Sequence, residues 1–159
     1  MSARTVNLLR SLGAALATAG ALAASGAQGQ GVNNSDQPID ITADGLELID
    51  AQRVQVWSGA VEAVQGTNRL RTRLLRVYHA PKPGAGDRKG QWGEPQRMVA
   101  EGDVYFLTPE SAAKGELAVY DLNRDTVTMT GDVVLTRGES VVRGDKLVIN
   151  TVTGLATLD

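Results

Sequence analysis

The stretch Val127 to Asn150, VTMTGDVVLTRGESVVRGDKLVIN, decides how the whole chain is read. Val127 and Met129 alternate with Thr128 and Thr130, Gly131-Asp132 interrupts, and Val133 and Leu135 resume the alternation. Arg137-Gly138-Glu139 then turns, and Gly144-Asp145 precedes Leu147 and Ile149. Apolar residues at every second position, punctuated by Gly and Asp, predict short half-buried β-strands. A displacement of 29 (131 − 102) lays Gly102-Asp103-Val104 on Gly131-Asp132-Val133 and Gly115-Glu116 on Gly144-Asp145. A displacement of 72 (131 − 59) lays Gly59, Val61, Gly66, Arg71 and Leu75 on Gly131, Val133, Gly138, Arg143 and Leu147. The second displacement is two periods plus 14 residues (72 − 58), and the surplus falls in Pro81 to Gln96, PKPGAGDRKGQWGEPQ. Crowded with Pro and Gly, that stretch reads as a loop inserted into the first repeat. Self-similarity at this period means stacked copies of one β unit.

Outward from the repeat, the same alternation covers the chain. Pro38 opens a strand with Ile39, Ile41 and Ala43 on one face, a position where a sheet tolerates proline. Leu46 and Leu48 give a second strand, Arg53 to Trp57 a third, Ala60 to Val64 a fourth, and Leu70 to His79 a fifth with Leu75 and Val77 facing the core. Met98 and Ala100, Val104 and Phe106, and Ala118, Tyr120 and Leu122 follow after the loop. Gly154 to Asp159 reads as a strand cut off where the next Gly of the 29-residue register would fall, at 160 (131 + 29). No run keeps helical spacing, so the expected fold is all-β: short antiparallel strands stacked as a β-solenoid or an open jelly roll.

The first residues are different in kind. Arg4 and Arg10 precede an uncharged, Ala- and Gly-rich run from Ser11 to Ala27, the pattern of a secretory signal peptide with cleavage after Ala23 or Ala27. Its apolar part is shorter than the roughly 20 residues a membrane anchor needs. Residues 28–37 are polar and aperiodic, a leader, and 38–159 form one domain. Cleavage would remove two of the 16 basic residues and none of the 18 acidic ones, leaving a net charge of −4. Without a basic stripe, nucleic acid is not an expected partner. Without cysteine, neither disulfides nor thiolate metal sites are available.

Little in the chain points to catalysis. His79 is the one histidine, at a strand end beside the loop, and reads as a surface residue rather than a metal ligand. Asp44, Asp103, Asp132, Glu139 and Asp145 recur with the repeat, as turn-forming acids bonding nearby backbone amides do. Arg71, Lys114 and Arg143 recur too, as a solvated face or a ladder for phosphate. No nucleophile, base and orienting group converge, so no catalytic residues, cofactor or metal are expected. What is left is the inward face, either a plain core or an apolar groove open at one end or along a seam.

Several stretches then carry a resemblance. Asp36-Gln37-Pro38-Ile39-Asp40-Ile41-Thr42-Ala43-Asp44, the repeated Gly59-Ala60-Val61, Gly102-Asp103-Val104 and Gly131-Asp132-Val133, and the closing Gly144-Asp145-Lys146-Leu147 resemble the OstA-like (LptA) family of periplasmic lipopolysaccharide transport proteins, over residues 36–159. The resemblance implies a V-shaped β-jelly roll with open ends that stack head to tail. It implies lipid A bound in the interior, and a bridge from an inner-membrane anchored OstA-like partner to an outer-membrane translocon. Two departures are the composition of the Pro81–Gln96 loop and a chain that stops at Asp159, before the family's usual C-terminal strand and tail. The lipid-binding residues expected on this basis are Ile39, Ile41, Met98, Tyr120 and Leu122, on the inward parity of strands near the start of the repeat and beside the loop. A membrane-anchored OstA-like relative, and more distantly a periplasmic β-helix protein binding or cleaving glycans, are the alternative readings.

Overall fold

The computed structural model describes residues 37–86 and 88–159. The expected signal peptide, and all but the last residue of the expected leader, lie outside the described residues.

Among the described residues nine strands form one antiparallel sheet: β1 (Ile39–Thr42), β2 (Gly45–Ile49), β3 (Val54–Gln65), β4 (Asn68–Pro81), β5 (Trp92–Leu107), β6 (Ser111–Asp121), β7 (Thr126–Arg137), β8 (Ser140–Asn150) and β9 (Ala156–Leu158). The order is β1-β3-β4-β5-β6-β7-β8-β9, with β2 also on β3. β1 pairs with the end of β3 and β2 with its start, so the two together act as one broken edge strand. Among the described residues the one helical piece is a 3₁₀ turn, Asp50–Gln52, between β2 and β3. The all-β character is as the periodicity predicts, and the open sheet is as the resemblance implies.

The Gly-Asp punctuation has a different role from the one expected. Gly59-Ala60, Gly102-Asp103 and Gly131-Asp132 do not end strands; they are bulges in the middle of β3, β5 and β7, where two residues oppose one on the next strand. The short third and fourth strands are therefore the two halves of β3. All six residues have positive φ, from 44° to 85°, and a bulge of this kind bends and twists its strand. Gly131 is required twice over, since a Cβ there would stand 2.8 Å from Glu116 Cβ. The tight turns between strands fall elsewhere, at Gly66-Thr67, at 108–110, at 122–125 and at Gly138-Glu139. The expected 81–96 loop also contracts to residues 82–91, because β4 and β5 run on into it and pair Pro81 with Trp92.

Aligned bulges fold the sheet across its own strands. Each long strand contributes one half to each side, and alternation puts one face of both halves inside. Val61, Val104 and Val133 come from one side of the bend and Leu75, Met129 and Leu147 from the other, and all belong to a single buried cluster. Their exposure is 1% or less, and each contributes about 1.5–3 kcal/mol by leaving water. Thr72 is a polar member of this interior at 5% exposed, beside Gln65 and Asn68. Its hydroxyl donates to the Glu101 carbonyl at 2.9 Å, and the Leu74 and Gly102 carbonyls each lie at 3.2 Å, where the β5 bulge interrupts the ladder. Val54, Ala85 and Val99 are buried outside the cluster.

Candidate functional site

The inward parity can now be followed strand by strand. On one half it runs Leu48 and Leu46 on β2, Gln55 and Trp57 on β3, Leu75 and Val77 on β4, Met98 and Ala100 on β5, then Ala118, Tyr120, Met129, Val127, Leu147 and Ile149. On the other it runs Ile39 and Ile41 on β1, Ala63 and Gln65 on β3, Asn68 and Leu70 on β4, Phe106 on β5, Ala113 on β6, Leu135 on β7 and Val142 on β8. The middle is packed shut, and the ends are not. Leu46 and Leu48 are 49% and 57% exposed at the β2 end, and Val142 is 47% exposed at the β8 end. Apolar lining thus reaches solvent at both ends of the interior.

Between the halves lies a cleft of about 310 Å³, part of it open solvent, lined by Ile39, Ala63, Leu70, Met98, Phe106 and Tyr120, with Gln65, Asn68 and Arg69 as its polar members. The Tyr120 hydroxyl donates to Gln65 Oε1 at 3.2 Å and lies 3.4 Å from Thr151 Oγ1. Because Gln65 and Tyr120 stand on opposite sides of the bulges, this bond ties the two halves together across the interior. Gln65 Nε2 in turn donates to the Gln37 carbonyl at 3.1 Å.

Three of the five expected lipid-binding residues, Ile39, Met98 and Tyr120, meet in this cleft. Ile41 and Leu122 pack against the core cluster without lining the cleft. Ala63, Leu70 and Phe106 were missed, as were Leu46, Leu48 and Trp57 at the open end. The alternation of Leu46 with Leu48 was visible; the bend that turns both halves inward was not.

The other candidates resolve as follows. Arg71, Lys114 and Arg143 do align in one cross-strand row, Glu62–Arg71–Tyr105–Lys114–Val134–Arg143, on the outer face. Arg71 Nε donates to Glu62 Oε2 at 2.7 Å, and the Lys114 ammonium sits 5.5 Å from the Tyr105 ring centre. That bond from Arg71, opposed by burial and aided by the Arg69 and Arg71 charges, holds the Glu62 carboxyl below its ordinary value of 4.5. Among the recurring acids, Asp103 pairs with Arg73 at 3.2 Å. Among the described residues, Asp50 and Asp121 accept from backbone amides. His79 is half-buried rather than freely exposed: Nε2 is buried, Nδ1 lies 2.9 Å from the Gly93 carbonyl, and its ring meets Trp92 at 5.4 Å. It is inward because it continues the parity of Leu75 and Val77. No cluster of three or more potential metal ligands occurs among the described residues.

A sequence model of the family described as "LptA/(LptD N-terminal domain) LPS transport protein" matches residues 40–155. The chain belongs to this lipopolysaccharide transport family. An uncharacterized protein of Rhizobium meliloti (strain 1021) is 33% identical over 151 residues, which cover 93% of this chain and 80% of that protein. In fold, this LptA-like chain is similar to LptH of Pseudomonas aeruginosa, described as the LptA homologous periplasmic component of the conserved lipopolysaccharide transport device. The TM-score is 0.66 at 20% identity, covering 79% of this chain and 85% of LptH. The OstA-like jelly roll that the resemblance implies is thus supported by the family model and by the fold. Among the described residues no helix is long and apolar enough to cross a membrane.

Proposed function

We propose that this LptA-like protein is a periplasmic, non-enzymatic carrier that shields the acyl chains of lipid A inside the V and passes lipopolysaccharide from an inner-membrane OstA-like partner toward an outer-membrane translocon. The observation that carries the reading is an apolar interior open at both ends, at Leu46 and Leu48 on one side and Val142 on the other. Each acyl methylene exposed to water costs about 0.8 kcal/mol, so a multi-chain lipid needs continuous cover. The cleft of about 310 Å³ includes open solvent, so its enclosed part is well below the about 300–1,000 Å³ of small-ligand pockets. It fits the end of a chain, and whole chains require the halves to part about the bulges, breaking the Tyr120–Gln65 bond. Ile39, Met98 and Tyr120 then touch the chains first, with Ile41 and Leu122 reached as the V opens.

Bridging follows from the edges. β1 and β2 form one end of the strand path and β9 the other, and no strand among the described residues covers their outer sides. Unpaired edges recruit strands, and pairing β1–β2 of one copy with the β8–β9 end of another would join the two interiors. Such a head-to-tail joint does not close, so assembly grows with concentration. Export with cleavage of residues 1–27 belongs to the same reading.

A photo-crosslinking side chain placed in living cells at Ile39, Ile41 or Leu122, with Tyr105 on the outer face as control, tests it. Lipopolysaccharide adducts are expected from the inward positions alone. Equal adducts from Tyr105, or none from all three inward positions in a folded protein, would refute the interior route.

A further inference from the structure

Among the described residues, the side-chain nitrogens buried without a hydrogen-bond partner are Arg53 Nε and His79 Nε2. They belong to residues directly across from each other. The His79 amide donates to the Arg53 carbonyl at 2.9 Å, one step beyond the Val54–Tyr78 pair of β3 and β4. His79 stands two residues past Val77, and Val77 faces Met98, a residue of the cleft. At about 3.4 Å per residue, the ring lies roughly 7 Å farther along the interior, at its rim.

The surroundings of this pair are built. Trp92 meets the His79 ring at 5.4 Å, tilted by 46°. The Gly90 amide donates to Asp50 Oδ1 at 2.7 Å, which ties the 82–91 loop to the 3₁₀ turn whose end is Arg53, at φ 50°. The 82–91 loop is therefore tied next to Arg53 just before it enters β5 at Trp92. A backbone carbonyl only accepts, so His79 Nδ1 must carry the proton shared with Gly93. Nε2 then offers a lone pair in the neutral ring, or a second N–H in the imidazolium. Arg53 Nε always donates.

A buried polar atom left unpaired is costly and rare in native structures. A single group that satisfies both nitrogens must accept from Arg53 and either donate to neutral His79 or accept from its cation. A phosphate monoester does either, through a P–OH or a P–O⁻ oxygen, and its charge favours a guanidinium partner. The Trp92 face beside it offers a flat apolar shelf for the ring of a sugar. We infer that Arg53, His79 and Trp92 form a subsite for the phosphorylated sugar head of an acylated glycolipid whose chains enter the neighbouring interior. The inference rests on the carrier reading above and adds the part of the lipid that is recognised.

The test is a two-by-two comparison with the purified protein. Binding of a soluble phosphorylated, acylated diglucosamine lipid and of the same lipid after enzymatic removal of its phosphate is measured by calorimetry, for the wild-type chain and for Arg53→Gln. The expected result is that dephosphorylation weakens wild-type binding about tenfold to a hundredfold. Arg53→Gln should cost as much with the phosphorylated lipid and nothing further with the dephosphorylated one. If the wild-type chain binds both lipids equally, the subsite is refuted while the carrier stands, and a buried water is what bridges the two nitrogens. If Arg53→Gln weakens both lipids alike, the residue only supports the fold and the subsite is again refuted. Binding of neither lipid by the wild-type chain overturns the carrier and the subsite together. Because the phosphate arm uses the wild-type chain, a poorly folding variant leaves the central comparison intact.

Discussion

Replacing Gly131 by Ala tests whether the bend in the sheet is a built feature of each repeat. Gly131 has φ +85°, and a Cβ there would lie 2.8 Å from Glu116 Cβ and 3.0 Å from its Cγ and Oε2. The left-handed backbone alone costs a residue with a Cβ about 1–2 kcal/mol. Carbon atoms prefer separations of about 3.5–4.0 Å, so β6 and β7 must also move apart, an overpacking cost of about 1–3 kcal/mol. The sum is about 2–5 kcal/mol. Gly138, in the β7–β8 turn, is the internal control: φ is +58° and an added Cβ meets nothing within 4 Å. There Gly138→Ala bears only the backbone term, partly offset by about 0.4–1 kcal/mol from a stiffer unfolded chain. Urea and thermal unfolding followed by β-type circular dichroism measure both. At about 4 °C per kcal/mol for a domain of this size, Gly131→Ala should lower Tm by about 8–20 °C and Gly138→Ala by about 3 °C. Equal losses in the two variants would mean that the strands do not cross tightly at the bulge, and the account of the bend would fail.

Two further outcomes follow from particular contacts. Thr72→Val keeps the shape of the side chain but leaves the carbonyls at the β5 bulge without their 2.9 Å donor, so stability should fall by about 1–3 kcal/mol in urea unfolding; an unchanged midpoint would show that these carbonyls are satisfied otherwise. Glu62 has its folded value lowered by Arg71, so its contribution is present above the unfolded value of 4.5 and is lost as pH falls through the lower folded one. The urea midpoint of Glu62→Gln should therefore lie below wild type at neutral pH and converge with it in acid, and a gap that persists in acid would deny the ion pair this role.

The degree to which the sequence was legible differs by element. Period-two spacing fixed the strands and their inward residues because side chains in a strand alternate strictly, so Leu75, Val77, Leu147 and Ile149 could be assigned to the core from position alone. The repeat of Gly-Asp pairs was equally plain, yet its meaning was not. A glycine followed by a short acid suits a hairpin turn and a mid-strand bulge alike, because both need positive φ. Only the pairing of Ser58 with Leu74 and Val61 with Thr72, skipping across Gly59-Ala60, shows that the strand continues.

The same division governs the site. Ile39, Met98 and Tyr120 could be named from parity, but parity says which face a residue is on and not what that face meets. Gln65 and Tyr120 stand 55 positions apart and touch across the interior, and Arg53 meets His79 only because β3 and β4 pair in one register. Local chemistry, repeated along the chain, was enough to determine an all-β fold with an apolar inner face. The closing of that face on itself, the openings left at its ends and the polar rim beside Trp92 depend on contacts between residues distant in sequence, and those are decided only once the bulges have bent the sheet.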